Sequence, residues 1–178
     1  MFDQKITDKI ELVLIREEFV SEYVDLVSDD FDYLSEWLEW PRFCRTEQDF
    51  RKFVANSDKG YEAGESMNCT ILYNGSVAGV SGFTKIDPTL RRAELGYWLG
   101  AKYQKKGIAT VVCRYLIQHA FSNPEIDKIQ VSVAVGNTAS RAVCERLEMK
   151  LEGIISNVER IGSNVLDHAI YALHREKT

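Results

Sequence analysis

Residues 93–110 read Ala93-Glu94-Leu95-Gly96-Tyr97-Trp98-Leu99-Gly100-Ala101-Lys102-Tyr103-Gln104-Lys105-Lys106-Gly107-Ile108-Ala109-Thr110, and the fold turns on this stretch. Its first part closes a strand-like run from Arg91 to Leu99, which follows the turn Asp87-Pro88-Thr89. Its last part opens a helix: Ile108, Val111, Val112, Tyr115, Leu116 and Ala120 recur at helical spacing up to Asn123-Pro124, where proline forbids continuation. A helix start leaves backbone N–H groups without partners and carries partial positive charge, so a pyrophosphate placed there satisfies both. Gly107 admits a phosphate close to the backbone, small Ala109 keeps the next position open, and Lys102, Lys105 and Lys106 add formal charge. Taken alone, the turn also reads as a glycine-containing loop with solvated lysines. It lacks the GxxxxGK[ST] and GxGxxG patterns of other phosphate loops.

Upstream, Leu12 to Ile15 reads as a first strand. Glu17 to Ser28 carries a helical stripe of Phe19, Val20, Tyr23, Val24 and Val27, and a second helix starts at Thr46 with Phe50, Phe53 and Val54 inward. Met67 to Tyr73 and Val77 to Ile86 are strands joined at Asn74-Gly75, a strong hairpin signal. Downstream, Ile129, Val131, Val133 and Val135 share one face of a strand, and Thr138 to Leu147 reads as a helix. Closing strands at Leu151 to Arg160 and Val165 to Leu173 flank the turn Gly162-Ser163-Asn164. The order is β-α-α-β-β-β-α-β-α-β-β. The helix between the strands ending near Leu99 and starting near Ile129 makes those two strands parallel. A mixed, mainly antiparallel α/β sheet flanked by helices is expected, in one domain spanning 1–178.

Composition narrows the classes. An apolar fraction of 45% over 178 residues suffices for one core, and no run of 18 apolar residues suggests a membrane span. Residues 1–11 lack the apolar stretch of a signal peptide, so cytoplasmic residence is the default. The net charge of −5 gives no attraction to nucleic acid or anionic lipid and suits a cationic amine. Cys44, Cys69, Cys113 and Cys144 form no CxxC pair, and His119, His168 and His174 do not stand at metal-ligand spacing to them, so neither disulfides nor a metal site is expected.

The motifs together resemble the GNAT N-acetyltransferase superfamily. Gln104-x-x-Gly107-x-Ala109 between strand and helix resembles its acetyl-CoA pyrophosphate motif. Ala93 to Leu99 resembles the AEIGYWL strand of the RimJ/RimL-type branch, the ribosomal-protein N-terminal acetyltransferases. Ala134-Val135-Gly136-Asn137-Thr138-Ala139-Ser140 and Val143 resemble its VxxxNxxSxxV segment, and Asp167 to Leu173 its closing strand. The resemblance covers about Leu12 to Leu173. It departs at Glu148-Met149, where the branch has glycine and phenylalanine, and at Cys144, where many GNAT enzymes have a general-acid tyrosine.

The resemblance implies acetyl-CoA as co-substrate, no metal, and direct acetyl transfer to a primary amine, most plainly the N-terminus of a ribosomal protein. A small amine (polyamine, amino acid or antibiotic) is the alternative acceptor, and a non-catalytic CoA-binding module the alternative of another class. A homodimer is admitted. Cofactor contacts fall to Trp98, Leu99, Gln104, Lys105, Lys106, Gly107, Ile108, Ala109, Thr110, Asn137 and Ser140, with Ser140 able to hydrogen-bond the CoA sulfur. Asn137 and Ser140 also read as ordinary helix-start residues. An amine must lose a proton before it attacks a thioester, so a base is required. Glu94 and Glu159 are the candidates; the plainer readings pair Glu94 with Arg91 or Arg92, and Glu159 with Arg160. His168 beside Asp167 is a lesser candidate to carry a proton. Cys144 is a poor candidate for an acyl carrier, because direct transfer needs no covalent intermediate. Phe31, Tyr33, Trp37, Trp40 and Phe43 read either as wall of the acceptor entrance or as core of a helical subdomain.

Overall fold

One eight-stranded sheet organises the chain in the computed structural model, which describes residues 2–176; residues 1, 177 and 178 of the expected 1–178 span lie outside the described residues. The strands are β1 (Asp3–Lys5), β2 (Ile10–Leu14), β3 (Met67–Tyr73), β4 (Ser76–Asp87), β5 (Arg92–Leu99), β6 (Lys128–Ala134), β7 (Lys150–Ile161) and β8 (Asn164–His174). The helices are α1 (Val20–Asp29), α2 (Phe31–Leu34), α3 (Glu47–Glu62), α4 (Ile108–Ser122) and α5 (Thr138–Arg146). Sheet order is β1-β2-β3-β4-β5-β6-β8-β7, and every neighbouring pair is antiparallel except β5 and β6. The mixed, mainly antiparallel α/β sheet and its parallel pair are as expected from sequence. The differences are the added edge strand β1, the single turn α2, and 3-10 turns at Glu17–Phe19, Trp40–Arg42 and Ala101–Tyr103.

Alternation of side chains across the strands assigns the two faces. On one face α1 and α3 pack, with the Tyr23 hydroxyl bonded to Thr70 on β3, and Tyr23 stacked on Phe50 at 5.4 Å. Thr46 caps α3 through a reciprocal bond pair with Asp49, the capping box its sequence calls for. On the other face α4 and α5 cover Ala93, Leu95 and Leu99 of β5 and Ile129, Val131 and Val133 of β6, all buried. Ile108, Val112 and Leu116, each at most 1% exposed, form the inner stripe of α4.

Parallel pairing of β5 with β6 covers only Arg92↔Lys128, Ala93↔Ile129 and Glu94↔Gln130. Beyond Glu94 the two strands part, and the edge of β5 from Leu95 to Leu99 stands open toward β6. At that open end Gly79 of β4 packs so tightly that a Cβ there would lie 2.0 Å from the Trp98 carbonyl oxygen. Only glycine fits there.

Candidate active site

The turn after β5 is shaped for an anion. Lys105 and Gly107 both adopt left-handed backbone (φ 57° and 74°), with Lys106 between them, an arrangement that turns successive N–H groups into a concavity. Gly107 is the N-cap of α4, and neither a side-chain cap nor an acidic residue occupies its first turn. Space around Gly107 is open: a Cβ built there meets nothing within 4 Å. Lys105, Lys106 and Gly107 are exposed, whereas Ile108 and Ala109 are buried and anchor the helix. Lys106 lies over the rings of Tyr73 and Tyr103 at 5.4 and 5.7 Å, which holds its charge near the turn. Gln104 donates its side-chain amide to the Tyr33 hydroxyl, tying the turn to α2. Arg146, which sequence reasoning did not single out, donates from Nε to Thr110 Oγ1 at 3.3 Å. It adds a cation beside the helix start, visible only once α5 is laid against α4.

Across the gap between β5 and β6, Asn137 caps α5, its Oδ1 accepting from the Ser140 N–H at 3.1 Å. The helix-start reading of Asn137 is therefore realised in the structure. The Tyr97 hydroxyl donates to Ser140 Oγ at 3.1 Å, which leaves the serine its own proton to give. Burial pushes the Tyr97 hydroxyl well above the usual tyrosine range, so it stays protonated at any physiological pH. Trp98, on the opposite face, packs against Trp40 at 5.3 Å.

The two carboxylates share one face of the sheet. Glu94 stands at the vertex where β5 and β6 part, in a shallow groove with Lys85, Asp87, Arg92 and Gln130. Arg91 pairs with Asp127 instead, at 2.5 Å. Glu159 on β7 is not paired with Arg160, whose Nε donates to the Gly162 carbonyl at 3.1 Å. Its Oε2 lies 3.4 Å from His168 Nε2, and His168 Nδ1 lies 2.8 Å from Ser132 Oγ on β6. Near the β7–β8 turn, Phe31, Asp32, Ser35, Glu36, Arg42, Ile161 and Asn164 line a cavity of about 340 Å³. The aromatics divide: Trp40 packs between Phe50 and Trp98, Trp37 sits over Gly136, Phe31 lines the cavity under Arg45, and Phe43 is exposed. Core and wall are both represented.

Cys69, Cys113 and Cys144 are buried free thiols, and Cys44 is half-buried. Burial pushes Cys144 up to about 11, so a thiolate nucleophile there is disfavoured. Among the described residues no group of three or more His, Cys, Asp or Glu is placed to hold a metal ion, and no helix is long and apolar enough to cross a membrane.

Residues 10–150 match the family described as Acetyltransferase (GNAT) domain. The chain belongs to the GNAT acetyltransferase family. Relatives of this GNAT chain include the putative ribosomal N-acetyltransferase YdaF of Bacillus subtilis (strain 168), 30% identical over 86% of this chain and 84% of that protein. The ribosomal-protein-serine acetyltransferase of Escherichia coli (strain K12) is 29% identical over 94% of each. Among solved structures, RimL, a ribosomal L7/L12 alpha-N-protein acetyltransferase in complex with coenzyme A, superposes with a TM-score of 0.93 at 26% identity, covering 97% of this chain and 98% of that one. The microcin C7 self-immunity acetyltransferase MccE, in complex with acetyl-CoA and AMP, gives a TM-score of 0.93 at 28% identity, over 96% of this chain and 95% of its own.

Proposed function

We propose that this acetyltransferase moves the acetyl group of acetyl-CoA directly to the N-terminal amine of a protein, a ribosomal protein foremost. One observation carries the reading: β5 leaves β6 after Glu94, and the uncapped, left-handed turn of residues 104–107 opens at its free end. The pyrophosphate would rest on the N–H groups that start α4, with Gln104, Lys105, Lys106, Gly107, Ile108, Ala109 and Thr110 around it. Backbone groups of Trp98 and Leu99 on the open edge would meet the thioester and the pantetheine arm, with Asn137 facing them from β6's end. Ser140, its oxygen engaged by Tyr97, would turn its own proton toward the departing sulfur.

Glu159 is assigned the base and Glu94 a supporting carboxylate. Glu159 lies two residues from Ile161, which lines the cavity, whereas Glu94 shares its groove with Lys85 and Arg92. A protonated amine entering past Asp32 and Glu36 would pass one proton to Glu159, attack the thioester carbon, and give its second proton to the thiolate as the tetrahedral intermediate expels it. The unit assigned is one domain over residues 1–178, working in the cytoplasm, with neither nucleic acid nor membrane as partner. We assign a homodimer built on the β7 edge.

Acetyl-CoA at 100 times its dissociation constant should stabilise the fold by about 2.7 kcal/mol, and no thermal shift at millimolar ligand would remove the co-substrate assignment. Thiol release with a panel of N-terminal peptides and a panel of small amines decides the acceptor. Turnover confined to small amines would move the reading to the small-amine alternative. Binding without turnover on either panel would leave a CoA-binding module.

A further inference from the structure

Ser132, His168 and Glu159 come from three different strands, β6, β8 and β7, yet their polar atoms form one chain. His168 is 7% exposed, and its Nε2 is fully buried without a hydrogen-bond partner among the described residues. A buried imidazole nitrogen left unpaired costs free energy unless something uses it. The atom nearest in reach is Glu159 Oε2 at 3.4 Å, close for a charge contact and longer than a formed hydrogen bond. Catalytic hydrogen bonds are commonly long in the ligand-free state and tighten when substrate arrives.

Alternation and register set the chain on the acceptor side. Glu94 pairs with Gln130, and Ala134 with His168, so Glu94, Gln130, Ser132 and His168 share a face. The tautomer follows from the neighbours. A carboxylate only accepts, so Nε2 must carry the proton it offers to Glu159; in the neutral ring Nδ1 then accepts from the Ser132 hydroxyl. Valine or leucine would fill this interior position between β6 and β7 without an unpaired nitrogen, so packing alone does not account for a histidine here.

We infer that His168 is a positioning residue for the acceptor-side base: Ser132 fixes its tautomer, and its Nε2–H holds one oxygen of Glu159 so that the other faces the incoming amine. Nothing is transferred to the imidazole. The amine's proton goes to the free oxygen of Glu159, and the neutral His168 keeps its own at Nε2. The inference rests on the assignment of Glu159 as base.

The test uses the full chain with acetyl-CoA and a peptide acceptor turned over by the wild type. Glu159→Gln checks the underlying assignment; if it keeps wild-type kcat, that assignment fails and this inference with it. Given a slow Glu159→Gln, His168→Ala should lower kcat by about 10- to 100-fold with KM for acetyl-CoA within about twofold, the scale expected for a misplaced reacting group. His168→Gln, whose amide N–H reaches about as far, should recover most of the loss, and Ser132→Ala should cost less than His168→Ala. The double variant Glu159→Gln with His168→Ala should be no slower than Glu159→Gln alone. Wild-type kcat in His168→Ala overturns the inference while leaving Glu159 the base. So do equal losses in His168→Ala and His168→Gln, or additive losses in the double variant, which belong to a residue that only supports the fold.

Discussion

Gly107 does two things with one missing Cβ: it holds φ at 74° and leaves the approach to the helix start clear. Gly107→Ala should therefore cost about 1–2 kcal/mol of stability from the left-handed backbone. It should also weaken acetyl-CoA binding about tenfold in calorimetry, because the methyl stands where a phosphate must come close. Lysine at 105 already bears a left-handed φ of 57°, so Lys105→Gly should stabilise the turn while removing one charge. The cysteines make a separate prediction. Burial pushes Cys44 and Cys144 up to about 11, and Cys69 and Cys113 up to about 12, from an ordinary 9.0. The folded state then keeps thiol protons that the unfolded chain releases, so these groups' contribution to stability is intact below about pH 9 and is lost as pH rises through 11 and 12. Denaturant melts between pH 8 and 11 should show the midpoint falling. Cys144→Ala should retain acetyl transfer, as direct attack by the amine requires.

Element boundaries followed local chemistry closely wherever that chemistry was strong. Asn74-Gly75, at φ 51° and 80°, closes the β3–β4 hairpin as the dipeptide announced, and Asn123-Pro124 ends α4 on schedule. Asp3-Gln4-Lys5 gave no strand signal because a three-residue polar edge buries almost nothing; it is placed by its antiparallel register with β2. Phe31–Leu34 is a single turn, too short for a periodicity to show. The site was legible as motifs but not as contacts. Asn137, Ser140 and the residue 104–110 turn could be found in order along the chain. The meeting of Ser132, His168 and Glu159 could not, since it depends on the crossing of three strands. One departure from the family pattern has a measurable cost. Glu148, where glycine is usual, ends α5 at φ 60° within a Schellman turn, with Met149 N–H on the Cys144 carbonyl and Glu148 N–H on that of Glu145. Glu148→Gly relieves the backbone and gives up some chain entropy, for a net gain of about 0.5–1 kcal/mol. Calorimetry should show Tm up by about 2 °C, with kcat unchanged.

The sheet ends differently on its two sides, and the difference argues for association. At one edge β1 is three residues long, and Arg16 pairs with Asp3 beside it, the short and charged kind of edge that resists strand addition. At the other, β7 runs for twelve residues that are exposed along most of their length, and Ile154 and Ile155 are 58% and 54% exposed although they point to opposite faces. Leu151 and Val158 on β7, and Val165 on β8, extend the apolar strip. The strand bends at Asn157, φ 56°, where its N–H is taken by Asp167 Oδ1 and the pairing with β8 slips. That bend divides the edge in two, and the half from Lys150 to Ile155, which has a register shift of its own between Leu151 and Gly153, carries the two exposed isoleucines. Two copies meeting there about a two-fold axis would bury the same residues on each side, as a closed dimer requires. Light scattering at tens of micromolar should then give twice the chain mass, and Ile154→Lys with Ile155→Lys should return the monomer with its melting temperature preserved. A monomeric wild type at that concentration, or a dimer indifferent to both lysines, would place the interface elsewhere or nowhere. Ile155 is the cross-strand partner of His168, so kcat is read on Ile154→Lys alone, whose side chain points to the other face, and it should stay within about twofold. A larger fall would mean that β7 needs its partner to hold Glu159 against His168.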